Sequence, residues 1–68
     1  MTTLNLVHLA TFRLAGRRGS VTAAAEALGI SQPAVSLQIR QLEQFLQTRL
    51  VGGTGRGISA TAAGQALL

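Results

Sequence analysis

The chain has 68 residues, with six arginines against two glutamates, a formal net charge of +4 and a sequence pI of about 12.0. This length allows one domain, which buries only about 60% of its unfolded surface, and the excess of arginine favours a polyanionic partner. The chain contains no cysteine, which excludes disulfides and thiolate metal sites, and it shows neither a signal-peptide layout nor a hydrophobic run approaching the ~18 residues that span a membrane.

The first predicted element is a helix from about Leu4 to Arg17. The apolar residues with the right spacing to pack on the other helices are Leu6, Leu9 and Phe12. Arg17 and Arg18 lie at its C-terminal end, where cations complement the helix dipole. We interpret this pair as a solvated helix end, with a phosphate contact as the alternative.

A short second helix follows, with Thr22 as its predicted N-cap. Gly29 ends it, because a residue without a Cβ adopts the left-handed conformation of a tight turn at little cost. The residues predicted to face inward around this turn are Ala24, Ala25, Leu28 and Ile30. Ser31 is the predicted N-cap of a third helix, and Pro33 is tolerated in its first turn. A helix, a glycine-bearing turn and a second helix form a helix-turn-helix.

The third helix is predicted to extend to about Gln47 and to have two different faces at roughly 3.6 residues per turn. Its apolar stripe contains Val35, Ile39, Leu42 and Leu46. Its outward residues are Gln32, Pro33, Ser36, Leu37, Arg40 and Gln44. Glutamine pairs with adenine, serine bonds to several bases, and leucine contacts a thymine methyl group. This face therefore suits a DNA major groove. Glu43 is expected to pair with Arg40 at a spacing of three residues.

A short hairpin is predicted from Leu50–Val51 and residues 58–60, around a glycine-rich loop that contains Arg56. The chain has no lysine, so the loop lacks the lysine that a phosphate-binding P-loop requires. We interpret the hairpin as a wing whose Arg56 reaches a minor groove or a phosphate; the alternative is a solvated loop arginine. Thr61 is then the predicted cap of a last helix through Leu68.

Several of these segments also form a family pattern. They are Gly-Ser-Val-Thr at 19–22, Ala-Ala at 24–25, Leu28, Ser-Gln-Pro-Ala-Val-Ser at 31–36, Gln-Ile at 38–39, Leu-Glu at 42–43, Leu50, Thr-Gly-Arg-Gly at 54–57 and Thr-Ala-Ala-Gly at 61–64. With them, the chain resembles the N-terminal DNA-binding domain of LysR-type transcriptional regulators from about Leu6 to its end. The resemblance implies a mainly α winged helix-turn-helix at residues 1–60, with a three-helix core and a short β-hairpin wing, and the start of a linker helix at residues 61–68.

The resemblance places DNA contacts on Gln32, Pro33, Ser36 and the wing residue Arg56, with Thr22 near the DNA backbone. Together with the helix start and the outward face, the predicted DNA-binding residues are Thr22, Ser31, Gln32, Pro33, Ser36, Leu37, Arg40 and Arg56. Many relatives have arginine where this chain has Ala23 and Leu37. We therefore expect weaker phosphate binding, or a preference for thymine at Leu37.

Double-stranded DNA is the expected partner. In the family, the linker helix joins two subunits and leads to a domain that senses a small-molecule effector. We therefore expect a homodimer through this helix in a full-length protein, a monomer or weak dimer for these 68 residues, and an effector site in a domain absent here. The resemblance also implies a bacterial, cytoplasmic protein associated with the nucleoid through DNA.

Catalysis is not expected, because the acid–base residues are His8, Glu26 and Glu43 alone. A single histidine makes no metal site, and we predict no metal and no cofactor. The alternative to DNA binding is a cationic helical module that binds a protein or an anionic membrane surface, as the net charge and the 47% hydrophobic content would allow. The arginines are spread over three elements rather than one helix face, which disfavours a membrane-surface helix.

Overall fold

The computed structural model describes residues 4–53 and 57–68. In chain order, the elements are α1 (Leu6–Arg18), α2 (Val21–Leu28), α3 (Gln32–Leu46), β1 (Val51–Gly52), β2 (Ser59–Ala60) and α4 (Ala62–Leu67). The two strands are antiparallel, with Val51 opposite Ala60. The predicted mainly α winged helix-turn-helix is therefore confirmed. Within the described ranges, no helix combines the length and the apolar character needed to cross a membrane.

The hydrophobic core lies where α1, α2 and α3 meet. Its buried apolar residues are Phe12, Ala15, Ala24, Ala25, Val35, Ile39, Leu42 and Leu50. The larger side chains each contribute about 1.5–3 kcal/mol when fully buried. The two small alanines of α2 let this helix approach its neighbours closely. Leu50 comes from the segment between α3 and β1, and its burial attaches the wing to the three helices.

One buried hydrogen bond joins α1 to α3. The Thr11 side chain, only 2% exposed, donates from Oγ1 to Oε1 of Gln38 at 2.6 Å. A buried hydroxyl without a partner costs about 1–3 kcal/mol, so this bond favours one rotation of α3 relative to α1 over others.

Each α-helix begins after a short polar side chain that accepts a hydrogen bond from the first turn. These N-caps are Asn5, Ser20, Ser31 and Thr61. The predictions for Ser31 and Thr61 are confirmed, but the prediction that Thr22 caps α2 is wrong. Ser20 has the extended backbone that an N-cap requires, and its Oγ accepts from the backbone N–H of Ala23 at 3.0 Å. Thr22 therefore lies within the first turn of α2 and is exposed.

The predicted ends of α1 are also shifted. Asn5 accepts hydrogen bonds from the first turn, so α1 begins at Leu6 rather than Leu4. The helix continues to Arg18 and stops at Gly19, whose φ of 65° is left-handed.

Four apolar residues predicted to face the core are exposed instead. They are Leu6 at 71%, Leu28 at 41%, Ile30 at 37% and Leu46 at 36% exposure. Leu6 is the first residue of α1, Leu28 and Leu46 are the last residues of α2 and α3, and Ile30 lies in the turn. Periodicity predicts the side of a helix that faces its neighbours. It does not predict how far along the helix those neighbours extend.

Thr61 and Gly64 join the wing to α4. The Thr61 backbone N–H donates to the carbonyl of Leu50 at 2.9 Å, and its hydroxyl donates to the carbonyl of Arg49 at 2.6 Å. The same hydroxyl accepts from the N–H of Gly64 at 3.1 Å. Gly64 is buried, and a Cβ at this position would overlap the Leu50 carbonyl oxygen. A glycine is therefore needed where α4 crosses the base of the wing.

Replacing Gly64 with alanine tests this close approach. In an exposed helix, glycine to alanine stabilises by about 1 kcal/mol. For Gly64→Ala we expect the opposite sign, a loss of about 1–3 kcal/mol in the free energy of unfolding, because the methyl group forces α4 away from Leu50. Urea unfolding followed by circular dichroism measures this. Gly52→Ala is the control, because a Cβ there meets no atom within 4 Å. A Gly64→Ala protein as stable as the parent would contradict the packing described.

Candidate nucleic-acid interface

The outward face of α3 is open to solvent, while Val35, Ile39 and Leu42 are buried on the opposite side. The exposed residues of this outward face, which we call the recognition face, are Gln32, Pro33, Ser36, Leu37, Arg40 and Gln44. Leu37 is 51% exposed although it is a large apolar residue. The predicted division of α3 into two faces is therefore confirmed except at Leu46.

The N-terminus of α3 lies at one end of the recognition face. Ser31 has extended backbone angles, and its Oγ accepts from the N–H of Ala34 at 3.2 Å. Pro33 occupies the first turn, where no backbone donor is needed. The other N–H groups of this turn and the helix dipole give this end a partial positive charge, which favours a nearby phosphate.

A groove of about 410 Å³ separates α3 from the wing. Its lining comes from α2, α3 and the wing and consists of Val21, Ser36, Ile39, Arg40, Glu43, Arg49, Val51 and Ile58. Ser36 and Arg40 belong to both the recognition face and this groove. The two surfaces are therefore continuous, and we call the second one the wing groove.

Glu43 connects α3 to the wing. Its Oε2 accepts from the backbone N–H of Leu50 at 2.8 Å and of Val51 at 3.3 Å. Arg49 Nε lies 3.7 Å from the same oxygen, and the two side chains are 15% exposed for Glu43 and 78% for Arg49. The expected pairing of Glu43 with Arg40 is wrong. The chain turns back after α3 and brings two backbone donors and a nearer arginine to the carboxylate.

The structure brings most of the predicted site residues together. Ser31 and the recognition face form one continuous surface on α3, and Thr22 is exposed in the first turn of α2. Arg56 lies outside the described residues. Arg49, a cation two residues before β1 that lines the wing groove, was not among the residues predicted from the sequence. Its place between the outward-facing helix and the wing was the available signal.

Comparison with known proteins identifies the family. Over residues 6–65 the chain matches the family described as bacterial regulatory helix-turn-helix protein, lysR family. This chain belongs to the LysR family. The HTH-type transcriptional regulator TdcA of Escherichia coli K12 is 43% identical over 61 residues, which cover 90% of this chain and 20% of TdcA. The chain thus spans about a fifth of that relative.

Solved LysR-family structures share the fold. The CbnR DNA-binding domain in a DNA complex superposes with a TM-score of 0.91 at 37% identity, covering 96% of this chain and 75% of CbnR's. The BenM DNA-binding domain in complex with catB site 1 DNA superposes with a TM-score of 0.87 at 34% identity, covering 94% of this chain and 71% of BenM's. Both superpositions cover more than nine-tenths of this LysR-family chain.

Removal of the Glu43 carboxylate tests its connection to the wing. We expect Glu43→Ala to lower the free energy of unfolding by about 1–3 kcal/mol, because the N–H groups of Leu50 and Val51 lose a charged acceptor in a partly buried site. Glu26→Ala, an exposed glutamate on α2, is the matched control and should change stability by less than about 0.5 kcal/mol. Urea unfolding curves compare the two. Equal stability of both variants would show that the carboxylate does not hold the wing.

Proposed function

We propose that this chain is the sequence-specific DNA-binding domain of a LysR-type transcriptional regulator, with α3 as the helix that enters the major groove. The observation that carries the proposal is the recognition face, a row of exposed amide, hydroxyl, apolar and cationic side chains on the part of α3 that turns away from its buried stripe. A major groove about 12 Å wide accepts one helix of this kind.

Each recognition-face residue has a chemical role in this proposal. Gln32 pairs bidentately with an adenine edge, Ser36 bonds to a base, and Leu37 contacts a thymine methyl group. Pro33 packs against the DNA strand that these side chains contact, and Arg40 reaches a base edge or a phosphate.

Contacts to the DNA backbone complete the proposed interface. Ser31 and Thr22 lie at the starts of α3 and α2, where helix N-termini favour phosphates. Arg56 is proposed to reach the minor groove or a phosphate from the wing. The likeness to the DNA-binding domains of CbnR and BenM, both solved with DNA, supports this arrangement.

Several features of the whole protein are also proposed. The winged domain spans residues 1–60, and residues 61–68 begin a linker helix through which two subunits of a full-length regulator associate. The role is binding rather than catalysis, and an effector-sensing domain lies elsewhere in that regulator. A bacterial, cytoplasmic location is proposed from the family, which is described as bacterial, and from the DNA partner.

Fluorescence anisotropy with labelled duplex DNA and with anionic vesicles tests the proposal. We expect binding to a duplex of arbitrary sequence with Kd on the order of 10⁻⁴ to 10⁻⁶ M at physiological salt, weakening as salt rises because counterions are released from the DNA. Vesicle binding without duplex binding would overturn the proposal and favour the alternative, a cationic helical module for membrane surfaces.

Gln32→Ala tests the reading of bases. With a duplex selected from a random pool, we expect the variant to lose about 1–3 kcal/mol of discrimination between selected and random DNA, because a bidentate contact is removed. Gln65→Ala, an exposed glutamine on α4, is the matched control and should preserve discrimination. An equal loss of affinity on both DNAs from Gln32→Ala would show that Gln32 has no reading role.

A further inference from the structure

We infer that Arg49 is a further DNA-contacting residue, which binds a backbone phosphate at the edge of the wing groove. This inference rests on the proposed function, because it concerns the same duplex that α3 recognises. It adds a residue that neither the sequence pattern nor the recognition face includes.

The structure holds Arg49 in a defined position while leaving it accessible. Its Nε faces Glu43 Oε2 at 3.7 Å, and its Nη2 donates to the carbonyl oxygen of Val51 at 3.4 Å. The side chain is nevertheless 78% exposed. A guanidinium has five N–H donors, so most of them remain available to a ligand. An arginine oriented in this way loses less conformational freedom on binding than a freely rotating one.

The charges around Arg49 favour an anion. Arg40 and Arg49 both line the wing groove, and both also line a neighbouring hollow of about 360 Å³ that extends to Gln44, Gln47 and Thr48. Among the described residues, Glu43 is the one carboxylate that lines either space. Its charge is offset by Arg49 and by two backbone N–H groups, so Arg40 leaves an excess of positive charge. An arginine fork matches the geometry of a phosphate, the anion that a DNA backbone presents.

The wing groove lies where a DNA strand passes when α3 occupies the major groove. A helix with its side chains is about 10–12 Å wide, which fills a major groove about 12 Å wide. The sugar–phosphate strands must then pass beside the helix rather than under it. On the wing side of α3, the surface that such a strand meets is the wing groove, whose lining includes Ser36 and Arg40 as well as Arg49.

The arginines of α1 are not among the described residues that line the wing groove or the neighbouring hollow, so they provide a control. Arg17 is exposed and lines a separate hollow whose lining, among the residues that the structure describes, comes from α1, on the side of the helix opposite Phe12 and Ala15. Under the interpretation of Arg17 as part of a solvated helix end, Arg17→Gln removes the same charge as Arg49→Gln without altering the wing groove.

The experiment measures duplex affinity of the 68-residue chain from about 50 to about 200 mM salt. For Arg49→Gln we expect a several-fold weaker affinity on selected and random duplexes alike, and a slope of log K against log salt reduced by about 0.9, the value for one phosphate contact. Arg49→Lys should retain most of the slope because it retains the charge. Arg17→Gln should retain the slope of the parent. Circular dichroism melting shows that each variant is folded, as the exposure of both arginines leads us to expect.

A double variant separates phosphate binding from simple neutralisation of Glu43. If Arg49 contacts DNA, introducing Arg49→Gln into a Glu43→Gln background should still reduce the salt slope. If Arg49 only masks the carboxylate, the substitution should have no effect in that background, and the inference would be wrong. An unchanged slope for Arg49→Gln with preserved duplex binding would overturn the inference alone. Absence of duplex binding by the parent chain would overturn the proposed function together with it.

Discussion

The burial of Val35, Ile39 and Leu42 against α1 and α2 is the interaction on which the rest of the structure depends. Each helical residue is turned about 100° from the one before it, so burying this stripe fixes the direction of every other side chain on α3. A rotation by one residue would bring polar side chains into the core, at a cost comparable to the stability of a small domain. The Thr11 hydroxyl, bonded to Gln38, opposes the same rotation. The core packing and the proposed DNA recognition therefore depend on the same constraint.

The sequence predicted the features that depend on local rules. The structure contains the stripe of α3 apart from Leu46, its Ser31 cap, the turn at Gly29 and the Thr61 cap, all of which follow from neighbouring residues only. The errors arose where the outcome depends on residues distant in the chain, as at the exposed Leu6. The choice of Ser20 over Thr22 as a cap depends on where the preceding helix releases the chain, which is at the left-handed Gly19.

The surroundings of Glu43 show why its role could not be predicted from the sequence. A carboxylate three residues after Arg40 predicts an ion pair on the helix surface. Its actual partners, the N–H groups of Leu50 and Val51, become available only once the chain has turned back toward α3. An acidic residue beside a groove that is proposed to face DNA is unfavourable in electrostatic terms. Two backbone dipoles and Arg49 offset its charge locally, so the carboxylate can hold the wing without strongly repelling phosphates.

The hydroxyl of Thr61 makes the junction between the wing and α4 mechanically stiff. It bonds at once to the Arg49 carbonyl and to the Gly64 N–H, while the adjacent backbone N–H bonds to the carbonyl of Leu50. Gly64 packs directly on the Leu50 carbonyl, so the first turn of α4 is in contact with the base of the wing. Tilting α4 therefore displaces the carbonyl groups of residues 49 and 50, so a movement of this helix is transmitted to the base of the wing.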